Sequence, residues 1–263
     1  MRIMFLHGFA AGGAVWAPYR AEFPDAPMPT LQFSDNGIPT LPELTGPAIL
    51  VGWSMGAMIA VEMLRRQPQF VKGLLLVSSG PSFIASDIFP EGKAPSAVHE
   101  LRDAVATGDA KAIQSFQKQL FTAAEIRDGW LARFRREIGP SLRNAATNAH
   151  PQSFRQLPAT GSRPYRSPDA GEAGGVSAEQ DSLLSQLAFL ENYRAPAGIP
   201  AVPVTVLHGG RDAIVDAAAT AAWRRLFPGA TARLVAGAGH ALPFVRRDEV
   251  AAAIAALREA CDA

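Results

Sequence analysis

"PAILVGWSMGAMIAVEML", residues 47–64, decides how the rest of the chain is read. Its first half is a short apolar run of the kind that forms a buried strand. Its second half, "AMIAVEMLRRQ" (57–67), has apolar residues at 58, 59, 61, 63 and 64, the spacing of a helix with one buried face. Between them sits Gly52-x-Ser54-x-Gly56. A strand, then Gly-x-Ser-x-Gly, then a helix is the layout of a nucleophile elbow. The serine occupies a tight, strained turn, and side chains two positions away on either side would collide with it. Glycine at 52 and 56 removes both collisions. The turn lifts the Ser54 hydroxyl clear of the sheet edge, beside the free amides and positive potential of a helix start. Ala57 and Ala60 let that helix pack closely. The other reading of 46–64 is a membrane span, since it is long and nearly uncharged. Gly46, Pro47, Gly52, Ser54, Gly56 and Glu62 argue for a soluble strand and helix instead.

Working outward, five further runs resemble this strand: "RIMFLHG" (2–8), "PTLQF" (29–33), "GLLLVSSG" (73–80), "PVTVLHGG" (203–210) and "TARLVAGAG" (231–239). Continuous apolar runs, as opposed to alternating ones, predict strands covered on both faces of a parallel sheet. Helical patterns at 217–227 and 248–260 lie between or after them. The expected fold class is α/β, with a mostly parallel sheet and crossover helices. Residues 81–195 break that rhythm. They hold helical stretches such as "PSAVHELRDAVATG", "AKAIQSFQKQLF" and "AAEIRDGWLARFRREI", then a Pro/Gly/Ser-rich piece at 150–175 that reads as a loop. The expected organisation is a core of residues 1–80 and 196–263 with a helical cap, 81–195, inserted between the fourth and fifth strand runs.

Composition narrows the function. With 263 residues and 48% hydrophobic content, the chain can bury a sizeable core. A net charge of +1 gives no global pull toward nucleic acid or an anionic membrane, so neither is an expected partner. Cys261 is the single cysteine. An internal disulfide is impossible, a cysteine metal site is not expected, and a reducing, cytoplasmic setting fits. The N-terminus has too short an apolar run for a secretory signal, since His7 and Gly8 already read as fold residues.

A serine hydroxyl needs a base, and the base needs an orienting carboxylate. In this fold the order is serine, acid, histidine, each after a later strand. Asp212 follows the Gly-Gly turn of "PVTVLHGGRD", and His240 follows "TARLVAGAG". These are the expected catalytic partners of Ser54. Asp216 reads as a helix cap or surface charge, and Asp87 stands as an alternative acid after the earlier strand. His208 reads as structural, and His99 and His150 as solvated residues of the insertion. The oxyanion hole is expected from the backbone amides of Met55 and of Phe9, the latter in the "HGF" loop that His7 shapes. Phe9, Trp53, Met55, Phe83 and Phe244 are candidate lining for an apolar substrate pocket. The triad and backbone donors carry the chemistry, so no metal and no organic cofactor is expected. A histidine base must be neutral, so activity is expected to rise through roughly pH 6 to 7.

"HGF" (7–9), "GWSMG" (52–56), "GGRD" (209–212) and "GAGH" (237–240) resemble the α/β-hydrolase superfamily, and the resemblance spans nearly the whole chain. "VSSGPSFIASDIFPEGK" (77–93), "LLSQLAFLENYRAP" (183–196) and "GHALPFVRRDEV" (239–250) are similar to the pimeloyl-acyl-carrier-protein methyl ester esterases of biotin synthesis. That resemblance implies a serine esterase in which Ser54 attacks a methyl ester, and a cap that receives the acyl carrier protein. Residues 111–166 hold ten Lys or Arg against three acids. Arg127, Arg133, Arg135, Arg136 and Arg143 are therefore candidate docking residues for an acidic carrier. A solvated basic face is the plainer alternative. A general carboxylesterase or lactonase, or a catalytically silent binding protein of the same fold, are the competing functions. The chain departs from the common pattern by starting almost at the His-Gly strand and by leaving only a short connection between "PTLQF" and "AILVG".

Overall fold

The computed structural model describes residues 1–138 and 177–262. Five parallel strands form the central sheet in the order β1 (Arg2–Leu6), β4 (Ala48–Trp53), β5 (Val71–Val77), β6 (Val204–Gly209) and β7 (Thr231–Val235). The interior strand β4 is buried along its whole length, as its unbroken apolar run requires. Helix α1 (Met55–Arg66) packs against β1, β4 and β5, and the C-terminal helix packs against β5 and β6.

Two strand expectations are corrected. The run 29–33 does not join the sheet. Only Gln32–Phe33 is extended, as β2, and it pairs antiparallel with β3 (Pro39–Thr40) in a separate hairpin. The preceding segment does lie along β1: Phe5 N–H donates to Pro27 O at 2.9 Å, and Leu31 N–H to His7 Nε2 at 3.0 Å. Pro27 and Pro29 have no amide hydrogens, and losing donors at alternate residues prevents a ladder. The insertion therefore lies between the third and fourth strands of the sheet. The run 231–239 forms a strand, but β7 is the sheet edge and four of its five residues are exposed, Leu234 among them. It is not covered on both faces.

The insertion supplies α2 (Pro95–Ala106), α3 (Ala110–Gln119), α4 (Ala123–Arg127), α5 (Trp130–Glu137) and α6 (Ala178–Asn192). The expected single helical stretch after residue 122 is broken at Gly129, whose φ of 84° is left-handed. The start of α6 is marked by a capping box, Ser177 with Gln180, that a search for apolar spacing passes over. The ends of the insertion meet: Ala195 N–H donates to Pro81 O at 2.7 Å, beside a Ser82–Arg194 bridge. Helix α6 rests on the hairpin, with Phe189 and Phe33 ring centroids 5.4 Å apart. After β6 come α7 (Ala219–Leu226), then α8 (Leu242–Val245) and α9 (Arg247–Asp262) beyond β7. The loop expected at 150–175, together with His150 and Arg143, lies outside the described residues. Among the described residues no helix is long and apolar enough to cross a membrane, and no group of three or more His, Cys, Asp or Glu side chains is arranged to hold a metal ion.

Candidate active site

Ser54 stands between β4 and α1 with φ 54° and ψ −120°, a conformation that non-glycine residues adopt only under constraint. The constraint is visible on both sides. A Cβ on Gly52 would sit 2.5 Å from the Ala57 nitrogen, and one on Gly56 would run into the backbone of Leu6 at the end of β1. Ser54 N–H is held by Val77 O at 2.8 Å, and Ala57 N–H returns to Ser54 O at 3.0 Å. The turn is thus locked by its neighbours in the sheet. The Gly8 loop presses on it as well, since a Cβ there would be 3.2 Å from that of Ser54.

Two later strand ends bring up the partners. Gly209 ends β6, where a side chain would strike the backbone of Ala238 and Gly239. That close approach sets the loop after β6 against the loop after β7. His240 Nδ1 lies 2.7 Å from Asp212 Oδ2, with both side chains buried. Asp212 is an acceptor, so Nδ1 carries the hydrogen and Nε2 keeps its lone pair for a proton. Asp212 Oδ1 accepts from Ile214 N–H at 2.8 Å and Val215 N–H at 2.9 Å. Burial pushes the Asp212 carboxyl up. The charge and hydrogen bond of His240, the proximity of His208 and the Val215 amide outweigh it, and its pKa lies below the ordinary carboxylate value. Trp53, the residue before Ser54, donates from Nε1 to His240 O at 2.9 Å, and the two rings stand 5.7 Å apart. The histidine loop is therefore tied to the elbow itself.

His208 lies closer to this site than its sequence position suggested. Its Nε2 is 3.0 Å from Val215 O and 3.3 Å from Asp212 Oδ2. Both are acceptors, so Nε2 carries the hydrogen, and burial holds the ring's pKa below the usual histidine value. It stands four residues before Asp212 at the same strand end, and that spacing was the available signal. Of the alternatives, Asp216 Oδ1 accepts from Ala218 N–H at 2.8 Å ahead of α7. Asp87 is exposed on the 81–93 loop, and His99 is exposed on α2.

For the oxyanion donors, Met55 is the first residue of α1, where an amide has no intrahelical acceptor. In the first loop Ala10 N–H is taken by Gln186 Oε1 of α6 at 3.3 Å, whereas Phe9 N–H has no acceptor among the described residues. His7 holds this loop. It accepts from Leu31 N–H at Nε2 and lies 2.8 Å from Gly8 O at Nδ1, and burial lowers its pKa to about 4. Phe9 meets Phe116 of α3 edge-on at 5.1 Å. Phe116, Phe83, Val98, Leu101 and Ile214 border a largely apolar cavity of about 290 Å³ between the insertion and the core. Phe244 is elsewhere: it packs against Trp130 and Phe134 of α5 at 5.7 and 5.4 Å, and does not border that cavity. Trp53 and Met55 are fully buried, Trp53 as a brace for His240.

The residues at 45–246 match the family model described as the alpha/beta hydrolase fold. The chain belongs to that family. By sequence it is similar to the pimeloyl-[acyl-carrier protein] methyl ester esterase of Aromatoleum aromaticum, 27% identical, over 94% of this chain and 93% of that protein. It is likewise similar to the protein of the same name from Xanthomonas oryzae pv. oryzae, 27% identical, over 96% and 92%. Among solved structures it resembles a thermophilic esterase from Thermogutta terrifontis (TM-score 0.68, 17% identity, 99% of this chain and 90% of that one). It also resembles the enol-lactonase of Burkholderia xenovorans LB400 (TM-score 0.67, 15% identity, 98% and 90%). The last two likenesses concern the fold.

Proposed function

We propose that the chain is a serine esterase that hydrolyses a carboxylic ester through Ser54, His240 and Asp212, with the methyl ester of a pimeloyl chain on acyl carrier protein as substrate. The observation that carries the reading is the buried Asp212–His240 pair, at 2.7 Å, braced by Trp53 against an elbow whose serine has a positive φ. In that reading the residues 81–195 act as a cap over a hydrolase core. Ser54 Oγ attacks the ester carbonyl while His240 Nε2 takes its proton. The charge on the carbonyl oxygen falls on the amides of Phe9 and Met55. His240 gives its proton to the methoxy oxygen, methanol leaves, and the acyl group stays on Ser54. Water then attacks the acyl-enzyme, His240 taking its proton and returning one to Ser54, so that the free carboxylic acid is released. Asp212 holds the imidazole in the required tautomer throughout. No metal or cofactor takes part. A serine at the elbow, where a dehalogenase would use aspartate, supports acyl transfer. The similarity to the named esterases supports the methyl ester.

The carrier-bound substrate draws support from exposed Arg127, Arg133, Arg135 and Arg136 on α4 and α5. Three of these are engaged within the molecule, Arg136 through a 3.5 Å contact with Glu137. Arg135 bonds Gln114 O at 2.8 Å, and Arg133 pairs with Glu137 at 2.9 Å while lying over the Trp130 ring. That engagement favours a second reading, a general esterase for small free esters. The test compares wild type and Ser54→Ala on a short p-nitrophenyl ester and on a dicarboxylate monomethyl ester attached to acyl carrier protein. The expected result is loss of both activities in the variant and a much higher wild-type kcat/KM on the carrier-bound ester. Equal turnover of free and carrier-bound esters leaves the general esterase. Wild-type turnover of neither overturns the proposal.

A further inference from the structure

The loop that carries His240 is held from a second direction, by the inserted helices. Three consecutive amides all donate to the segment 120–125. His240 N–H and Ala241 N–H both donate to Leu120 O, at 2.9 and 3.1 Å, and Gly239 N–H donates to Glu125 Oε1 at 3.2 Å. The approach is so close that a Cβ on Gly239 would lie 2.8 Å from Leu120 O and 2.9 Å from Glu125 Oε2. Glu125 is only 2% exposed. Its Oε2 accepts from Thr122 N–H at 2.8 Å in the capping box of α4, and Arg246 Nη2 stands 3.9 Å from Oε1. Capping alone does not account for the burial. A capping-box carboxylate works equally well at the surface, and burying a charge is expensive unless its oxygens are used. Here the second oxygen is used on the residue next to His240.

We propose that Glu125 is a positioning residue for His240, acting through the Gly239 amide; this rests on the serine-esterase reading. Asp212 orients the imidazole ring about one nitrogen, but the ring can face Ser54 only if the backbone beneath it is also placed. Trp53 holds that backbone from the core side, through the His240 carbonyl. Leu120 and Glu125 hold it from the insertion side, through the amides. Removing the carboxylate frees the Gly239 amide and lets the loop shift, and a shift of about 1 Å at a catalytic group costs up to roughly 100-fold in rate.

The experiment uses the full chain as wild type, Glu125→Gln and Glu125→Leu. Reactive serines are counted by prolonged labelling with a fluorophosphonate, and turnover is expressed per labelled site. Wild type that neither labels at Ser54 nor turns over ester defeats the underlying esterase reading and is recognised before any variant is compared. Given a labelled, active wild type, Glu125→Leu should lose about 10- to 100-fold in kcat per labelled site with KM changed by less than about threefold. Glu125→Gln retains one acceptor oxygen and should fall between the two. A residue that merely stabilised the fold would lower the melting temperature and the labelled fraction while leaving turnover per labelled site intact. That outcome in both variants overturns the proposal. If Glu125→Leu does not fold, the same comparison is decided by Glu125→Gln and by Glu125→Asp, whose shorter side chain draws the acceptor away from Gly239.

Discussion

Asp212 shows how much a single side chain organises. Its Oδ1 fastens the loop after β6 through the Ile214 and Val215 amides, and its Oδ2 faces His240 and His208. Asp212→Asn keeps the shape but removes the charge that favours the imidazolium and the acceptor that sets the tautomer. The expected loss in kcat is on the order of 10³- to 10⁴-fold with the fold retained, checked by steady-state kinetics beside circular dichroism. Because its pKa is held below the ordinary value, Asp212 stays ionised at neutral pH. His7 makes a separate prediction, about stability. Burial lowers its folded pKa to about 4, against about 6.5 for a free imidazole, so between those values the unfolded chain binds the extra proton. The fold therefore has this stability in full above about pH 6.5 and loses it, by about 3 kcal/mol in all, as pH falls toward 4. Denaturant titrations at pH 7.5 and pH 4.5 should show the fall, and His7→Gln, which cannot take up the proton, should show a smaller one.

At the scale of elements, the elbow depends on two glycines for different reasons. Gly52 clears the first turn of α1, and Gly56 clears the end of β1. Both obstacles are backbone, which cannot rotate away. Gly56→Ala should therefore cost about 3 kcal/mol or more, read from the urea midpoint, or abolish folding. Gly46, with nothing within 4 Å of an added Cβ, is the natural control and should change little. Helix α4 is only five residues long and is held at its start by the box in which Thr122 Oγ1 accepts from Glu125 N–H. Thr122→Ala should cost about 1 kcal/mol, measured by denaturant unfolding. The β2–β3 hairpin has a structural use that its sequence did not announce, since Phe33 supports α6, and α6 in turn holds Ala10 beside the candidate oxyanion loop.

At the scale of the whole molecule, core and insertion meet around the candidate triad, with the Asp212–His240 pair supplied by the core and the amide anchors of its loop by the insertion. Helix α4, which carries Glu125, and the following α5 also expose the arginines proposed to meet an acidic carrier. Attraction between exposed charges is screened by salt, over a Debye length of about 10 Å at 0.1 M. Raising ionic strength should therefore increase KM for a carrier-bound ester while leaving that for a small free ester nearly unchanged. Arg127→Glu with Arg136→Glu should reproduce that split at low salt, measured as kcat/KM on the two substrates. Equal effects on both esters would remove the docking role.

The features legible in the sequence were those governed by neighbours along the chain. The tight turn at 52–56 needs glycines at two fixed offsets. A strand covered on both faces must be apolar throughout, and β4 is. An acid and a histidine at successive strand ends follow from the crossover topology. What the tertiary structure decided were contacts between segments far apart. Leu120 and Glu125 grip residues 239–241, and Phe244 packs on α5 away from the cavity that Phe83 borders. The hairpin role of 32–33 and the exposure of β7 follow from which strands have neighbours, and pairing partners are not encoded in local pattern. Apolar periodicity says which face of an element is buried. It does not say against what, because burial is non-directional and many partners satisfy it equally, whereas hydrogen bonds such as those of Glu125 are directional and exist only once the fold has closed.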